Sequence, residues 1–172
     1  IMGLGVLGLD AAKKLNALGF KVSGWSRSPK KIDGISTFHG RTGFSDFLKV
    51  TEILVCLLPL TPATEGIINK GTLGKLPIGA SIINPARGGH LIDNDLIQAI
   101  NEGHISNATL DVFHTEPLPK NHPFWKHSKI RITPHIASLT APETAALIVA
   151  DNIRRIRLGQ LPKPIVDLEA GY

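Results

Sequence analysis

Six residues near the start of the chain, Gly3-Leu4-Gly5-Val6-Leu7-Gly8, narrow the possible folds more than any other stretch. They stand between the apolar pair Ile1-Met2 and a segment where Ala11, Leu15 and Leu18 recur at i, i+4 and i+7 before Gly19. The pattern is that of a strand running through a Gly-rich turn into an amphipathic helix. In such a turn Gly3 permits the tight bend, Gly5 lets a pyrophosphate approach the backbone, and Gly8 lets helix and strand pack closely. Free amides at the helix start, around Val6 and Leu7, then face the phosphates. A plain Gly-rich turn is the alternative, and only the strand before it and the helix after it favour a dinucleotide site. A buried strand usually has about five or six residues. Only Ile1 and Met2 precede the first glycine, so the sequence reads as part of a longer chain.

Strand and helix keep alternating beyond the turn. Phe20 to Trp25 and Ile35 to Phe38 read as strands, and Phe44, Phe47 and Leu48 form a short helical face. Ile53-Leu54-Val55-Cys56-Leu57-Leu58 is apolar without alternation, which predicts a strand covered on both faces and ended by Pro59. Ala80 to Ile83, Ala108 to Val112 and Ile130 to Ile132 supply three more strands, and a helix over residues 93–101 stops at Gly103. Ala146, Val149, Ile153 and Ile156 predict a long final helix that closes the domain before Gly159. This order predicts an α/β fold, a Rossmann-type doubly wound parallel sheet over residues 1–158. A Pro-punctuated tail, residues 159–172, follows it. Ligands of such sheets sit beyond the carboxyl ends of the strands.

Composition removes several classes. A length of 172 residues suits one domain with a real core. A single cysteine excludes a disulfide scaffold and a Cys-built zinc site, and fits a reducing, cytoplasmic setting. No apolar run approaches the roughly 20 residues a membrane span needs. The net charge of +5 is spread over separate pairs, Lys13-Lys14, Lys30-Lys31 and Arg154-Arg155, without a nucleic-acid motif. Neither nucleic acid nor membrane is expected as a partner.

The end of the second strand chooses between dinucleotides. A carboxylate there accepts from the ribose 2′-hydroxyl of NAD, whereas this chain has Trp25-Ser26-Arg27-Ser28 and no acid before Asp33. A guanidinium flanked by two hydroxyls suits a 2′-phosphate, which predicts NADP(H) in preference to NAD(H). Arg27 pointing only to solvent is the alternative. Trp25 either anchors its loop or flanks the adenosine.

Three further segments occur in register: Asn84-Pro85-Ala86-Arg87-Gly88, Asp111-Val112-Phe113-His114-Thr115-Glu116-Pro117, and Thr133-Pro134-His135-Ile136-Ala137. With the glycine turn, they resemble the D-isomer-specific 2-hydroxyacid dehydrogenase family over nearly the whole chain. Leu118-Pro119, His122-Pro123-Phe124-Trp125 and Val166-Asp167 with Gly171-Tyr172 look most like its bacterial glyoxylate/hydroxypyruvate reductase branch. The resemblance implies NADPH-dependent reduction of small 2-keto acids, glyoxylate to glycolate and hydroxypyruvate to D-glycerate. An NAD-linked phosphoglycerate or lactate type and a dinucleotide-sensing corepressor-like protein are the alternatives.

Residue by residue, the resemblance makes Arg87 the holder of the substrate carboxylate and His135 the proton donor in reduction. Glu116 then fixes the tautomer of His135. Asp111 touches the nicotinamide carboxamide. Leu58, Pro59 and Thr61 pass beside the cofactor, as do Pro85 and Ala86. It also assigns residues 159–172 to a second, substrate-binding domain that is otherwise missing, so little turnover is expected from these residues alone. A homodimer is expected on the same ground. No metal is expected, since His114, His122 and His127 lack zinc spacing. These three, with His39, His90 and His104, read as surface or loop residues, and Cys56 as a core residue.

Overall fold

The computed structural model describes residues 1–166, so the end of the tail, residues 167–172, lies outside the described residues. Among the described residues six strands form: β1 (Ser23–Ser26), β2 (Ser36–His39), β3 (Ile53–Val55), β4 (Ala80–Asn84), β5 (Ile105–Leu110) and β6 (Ile130–Ile132). All pair in parallel, β1 with β2, and β3 to β6 side by side in sequence order. Ile1 to Gly3 join the two groups. The Met2 amide donates to the Val55 carbonyl and the Leu57 amide to the Met2 carbonyl, both at 2.8 Å. On the other side the Gly3 amide donates to Trp25 and the Trp25 amide to Ile1, both at 2.9 Å. The spatial order is therefore β2-β1, then Ile1–Gly3, then β3-β4-β5-β6, and the direction of winding reverses between Ile1–Gly3 and β3. A crevice for a ligand belongs at that reversal.

Helices α1 (Val6–Ala17), α2 (Gly40–Lys49), α3 (Lys70–Leu73), α4 (Asp93–Asn101) and α5 (Pro142–Arg157) occur along the chain. Side chains alternate across a strand, and the core divides accordingly. Met2, Leu54, Cys56, Ile82, Ala108 and Leu110 pack with Phe47 and Leu48 of α2 and with Leu96 and Ile100 of α4. Ile1, Leu4, Val22 and Ile35 form a smaller cluster with Ala12 of α1, joined by Val55 and Leu57. Helices cover both faces, and the sheet is doubly wound as the alternation predicts.

Three expectations need correction. The strand at 53–58 is not covered equally on both sides: Leu54 and Cys56 are fully buried and Val55 and Leu57 pack partly buried on the α1 side, but Ile53, at the start of β3, is 51% exposed. In α1 Ala11 and Leu15 pack partly buried against the core as expected, but the buried positions are Gly8 and Ala12, where the helix lies closest to the sheet, and Leu18, just past the helix end, is exposed. α5 forms where its periodicity puts it, yet none of its residues is buried, so its apolar stripe does not close the domain. α3 escapes the periodicity argument because it is four residues long; Asn69 starts it, its Oδ1 accepting from the Gly71 and Thr72 amides at 2.9 and 3.2 Å. No helix of the described residues is long and apolar enough to cross a membrane.

Candidate active site

The glycine turn has the shape its sequence implies. Gly3 has φ of +103°, and a Cβ there stands 2.7 Å from the Leu57 carbonyl oxygen. At Gly8 a Cβ meets the Gly3 carbonyl oxygen at 1.8 Å, so the start of α1 lies directly on the strand. Gly5 faces open space, with nothing within 4 Å of an added Cβ. No side chain caps α1, its first turn carries no acid, and Val6 and Leu7 are exposed. An uncapped, acid-free helix start beside an open glycine fits a pyrophosphate.

Beyond β1, buried Ser26 donates from Oγ to the Ser28 carbonyl at 2.8 Å, shaping a turn that leaves Arg27 and Ser28 exposed. Trp25 packs its ring 4.7 Å from Phe44 and donates its indole N–H to the Gly40 carbonyl at 2.8 Å. Its contacts are those of an anchor between β1 and α2. Sequence reasoning missed Lys30, whose Nζ donates to the Leu4 carbonyl inside the glycine turn at 2.7 Å. The available signal was a second cation three residues after Arg27.

The loops after β3 and β4 are held by side chains bonding to backbone. Thr64 Oγ1 donates to the Pro59 carbonyl at 2.7 Å and accepts from the Thr61 amide at 2.9 Å, which sets Leu58, Pro59 and Thr61 half-buried beyond β3. Fully buried Asn84, at the end of β4, folds the next loop around itself. Its Nδ2 donates to the Arg87 carbonyl at 2.9 Å and its Oδ1 accepts from the Ala86 amide at 3.2 Å. Pro85 is half-buried and Ala86 buried, while the Arg87 side chain is exposed, its Nη1 donating to the Ala86 carbonyl at 2.7 Å. A Cβ on Gly88 falls 2.0 Å from the Phe113 carbonyl carbon, so the loops after β4 and β5 touch.

Asp111, Glu116 and His135 come together at the ends of β5 and β6. His135 Nδ1 lies 2.7 Å from Glu116 Oε2, and Glu116 Oε1 accepts from the Phe113 amide at 2.9 Å. The hydrogen bond from His135, and then that from Phe113, hold the Glu116 carboxyl below its ordinary value. Buried Asp111 accepts from Thr133 Oγ1 and the Ile136 amide (3.0 Å) at Oδ1, and from the Ala137 amide (2.8 Å) at Oδ2. Burial alone pushes this carboxyl up, but those three hydrogen bonds outweigh it and leave it lowered. Asp111 thereby pins the loop on both sides of His135, which sits at φ of +55°. Among the described residues no other non-glycine has positive φ, so the backbone at His135 is strained and held there by its surroundings.

Most of the remaining histidines are surface or loop residues, as the sequence suggests. His104 contacts the Leu73 carbonyl, His127 contacts Asn101, and His114 and His122 flank Asp93 at 3.9 and 3.3 Å. His90 departs from that expectation, being fully buried. Among the described residues no group of three or more His, Cys, Asp or Glu is placed to hold a metal. Cys56 is buried, and desolvation pushes its thiol up to about 11.

Residues 1–137 match the family described as D-isomer specific 2-hydroxyacid dehydrogenase, NAD binding domain. All 172 residues align at 50% identity with glyoxylate/hydroxypyruvate reductase A of Serratia proteamaculans (strain 568), and at 48% with the protein of the same name from Yersinia enterocolitica. The chain spans about half the length of these curated relatives, 55% of each. A D-isomer specific 2-hydroxyacid dehydrogenase from Xanthobacter autotrophicus Py2, solved with NADPH and MES, superposes with a TM-score of 0.96 at 48% identity. That match covers 99% of this chain and 71% of the other. An NADPH-dependent glyoxylate/hydroxypyruvate reductase from Sinorhizobium meliloti, solved with NADP and sulfate, gives 0.94 at 41% identity, covering 99% and 55%.

Proposed function

The chain belongs to the D-isomer specific 2-hydroxyacid dehydrogenase family, and on that premise we propose that its protein reduces small 2-keto acids with NADPH, glyoxylate to glycolate and hydroxypyruvate to D-glycerate. The Glu116–His135 pair, 2.7 Å apart beyond the sheet's carboxyl edge, carries this proposal. When bound, the reduced nicotinamide supplies the hydride. The chain's own residues bind, orient and move the proton.

Glu116 accepts the Nδ1–H of His135, which leaves Nε2 as the atom that gives a proton to the carbonyl oxygen in reduction and takes it back in oxidation. The Glu116 carboxyl, held below its ordinary value, is the anion that orients the ring through Nδ1. Arg87 offers a planar fork that grips carboxylate and keto oxygen together. Gly3, Gly5, Gly8 and the amides of Val6 and Leu7 hold the pyrophosphate. Ser26, Arg27 and Ser28 take the 2′-phosphate, which underlies the preference for NADP(H) over NAD(H), and Trp25 supports them. Leu58, Pro59, Thr61, Pro85 and Ala86 line the nicotinamide side, where Asp111 meets the carboxamide. A cytoplasmic homodimer is part of the same reading, with residues 159–172 joining the substrate-binding domain.

The test is NADPH oxidation by the intact protein with glyoxylate, hydroxypyruvate and pyruvate, beside Arg87→Ala and His135→Ala. Loss of general acid catalysis in His135→Ala lowers kcat about 10²- to 10⁴-fold. Arg87→Ala raises KM for the keto acid. Near-normal rates in both variants refute the assignment.

A further inference from the structure

Among the described residues His90 is the only fully buried histidine, and no step above uses it. It ends the single helical turn Gly88–His90 that follows Arg87. Its Nδ1 lies 3.1 Å from the Arg87 carbonyl oxygen, and its Nε2 lies 3.2 Å from the carbonyl oxygen of Pro59, 31 residues earlier. The ring thus bridges the loop carrying the proposed substrate arginine and the loop proposed to face the nicotinamide. The backbone repeats the link, since the Gly66 amide donates to the Gly89 carbonyl and the Ile68 amide to the His90 carbonyl, both at 2.8 Å.

The immediate neighbours along and across the chain, Ile68 and Leu91, are buried and apolar. Filling that space calls only for an aliphatic or phenyl side chain, because a buried imidazole loses water and recovers the loss only through its nitrogens. Burial also lowers the pKa of the ring, and the neutral imidazole this favours has one N–H to donate. We propose that His90 is a positioning residue for substrate binding: its one N–H, held on Nδ1, donates to the Arg87 main-chain carbonyl while the ring packs against the Pro59 loop, and so fixes where the guanidinium stands relative to the cofactor. This rests on Arg87 being the carboxylate holder.

The experiment uses the intact protein and three variants. His90→Phe keeps the ring volume without polar atoms. His90→Asn places an amide nitrogen where Nδ1 stood and keeps the Arg87 link, and His90→Gln reaches only toward Pro59. KM for glyoxylate and kcat are measured with the Kd of NADPH and, as a readout free of turnover, the Kd of oxalate, an unreactive dicarboxylate. Losing one buried hydrogen bond at the arginine loop raises KM and the oxalate Kd about tenfold in the Phe and Gln variants. The NADPH Kd stays within about twofold, and Asn restores most of the substrate affinity. A merely structural His90 lowers the unfolding midpoint and leaves KM and the oxalate Kd unmoved in the folded Phe and Gln variants, which overturns the proposal. If Phe does not fold, Gln and Asn carry the comparison. Arg87→Ala in the same panel separates the failures: unchanged KM there removes the Arg87 reading itself, whereas a raised KM beside unaffected His90 variants removes only this inference.

Discussion

Alanine at Gly5 and at Gly8 adds the same methyl group three residues apart, yet the two substitutions have opposite consequences. At Gly8 the new Cβ falls 1.8 Å from the Gly3 carbonyl oxygen, and no flexible side chain can yield, because the obstacle is backbone. Ordinary carbon–oxygen contact needs more than 3 Å, so α1 must retreat from the strand by about 1.5 Å. Overpacking typically costs about 1–3 kcal/mol, and a backbone obstacle under the first turn puts this case at about 3 or above. At roughly 2–4 °C per kcal/mol for a domain of this size, Tm falls by about 6–12 °C. At Gly5 an added Cβ meets nothing within 4 Å, and φ of −69° suits alanine. There the weaker capping of alanine and its smaller unfolded-state entropy offset one another to within about 1 kcal/mol. In the proposed function the same methyl stands where the pyrophosphate is held, and loss of one or two charge-assisted amide contacts at about 1.5–3 kcal/mol each weakens NADPH at least tenfold. Thermal unfolding and NADPH fluorescence titration of both variants in the intact protein check this. Wild-type NADPH affinity in Gly5→Ala, or a wild-type Tm in Gly8→Ala, refutes the assignment of the two roles.

Arg27→Ala lowers NADPH affinity about 10- to 100-fold by removing a charge-assisted contact to the 2′-phosphate, while NADH affinity changes little; equal losses for both dinucleotides, read by the same titration, contradict a 2′-phosphate role. Glu116 makes stability depend on pH. Its folded carboxyl lies below the ordinary glutamate value, so its contribution to stability is fully present above about pH 4.3 and disappears as pH falls through the lower folded value. Acid unfolding of Glu116→Gln is therefore less steep than that of the wild type. Superimposable acid-unfolding curves count against the pairing.

The sequence by itself determined the order of strands and helices apart from the four-residue α3, the glycine turn, and the identity of the groups able to do acid–base and carboxylate chemistry. Those features follow from rules that act over a few residues: side-chain periodicity, the steric demands of a turn, and the hydrogen-bonding inventory of Arg, Glu and His. The tertiary structure decided which of these groups meet. Glu116 reaches His135 across 19 residues, Asp111 pins Ala137 across 26, and His90 touches Pro59 across 31. Parallel pairing of β3, β4, β5 and β6 stacks the loops that follow them at one edge, and only that stacking turns separate motifs into a site. The same holds for burial. His90 and the exposed stripe of α5 carry no local mark of their environment, because burial depends on what the rest of the chain lays against a residue rather than on the residue's own neighbours in sequence.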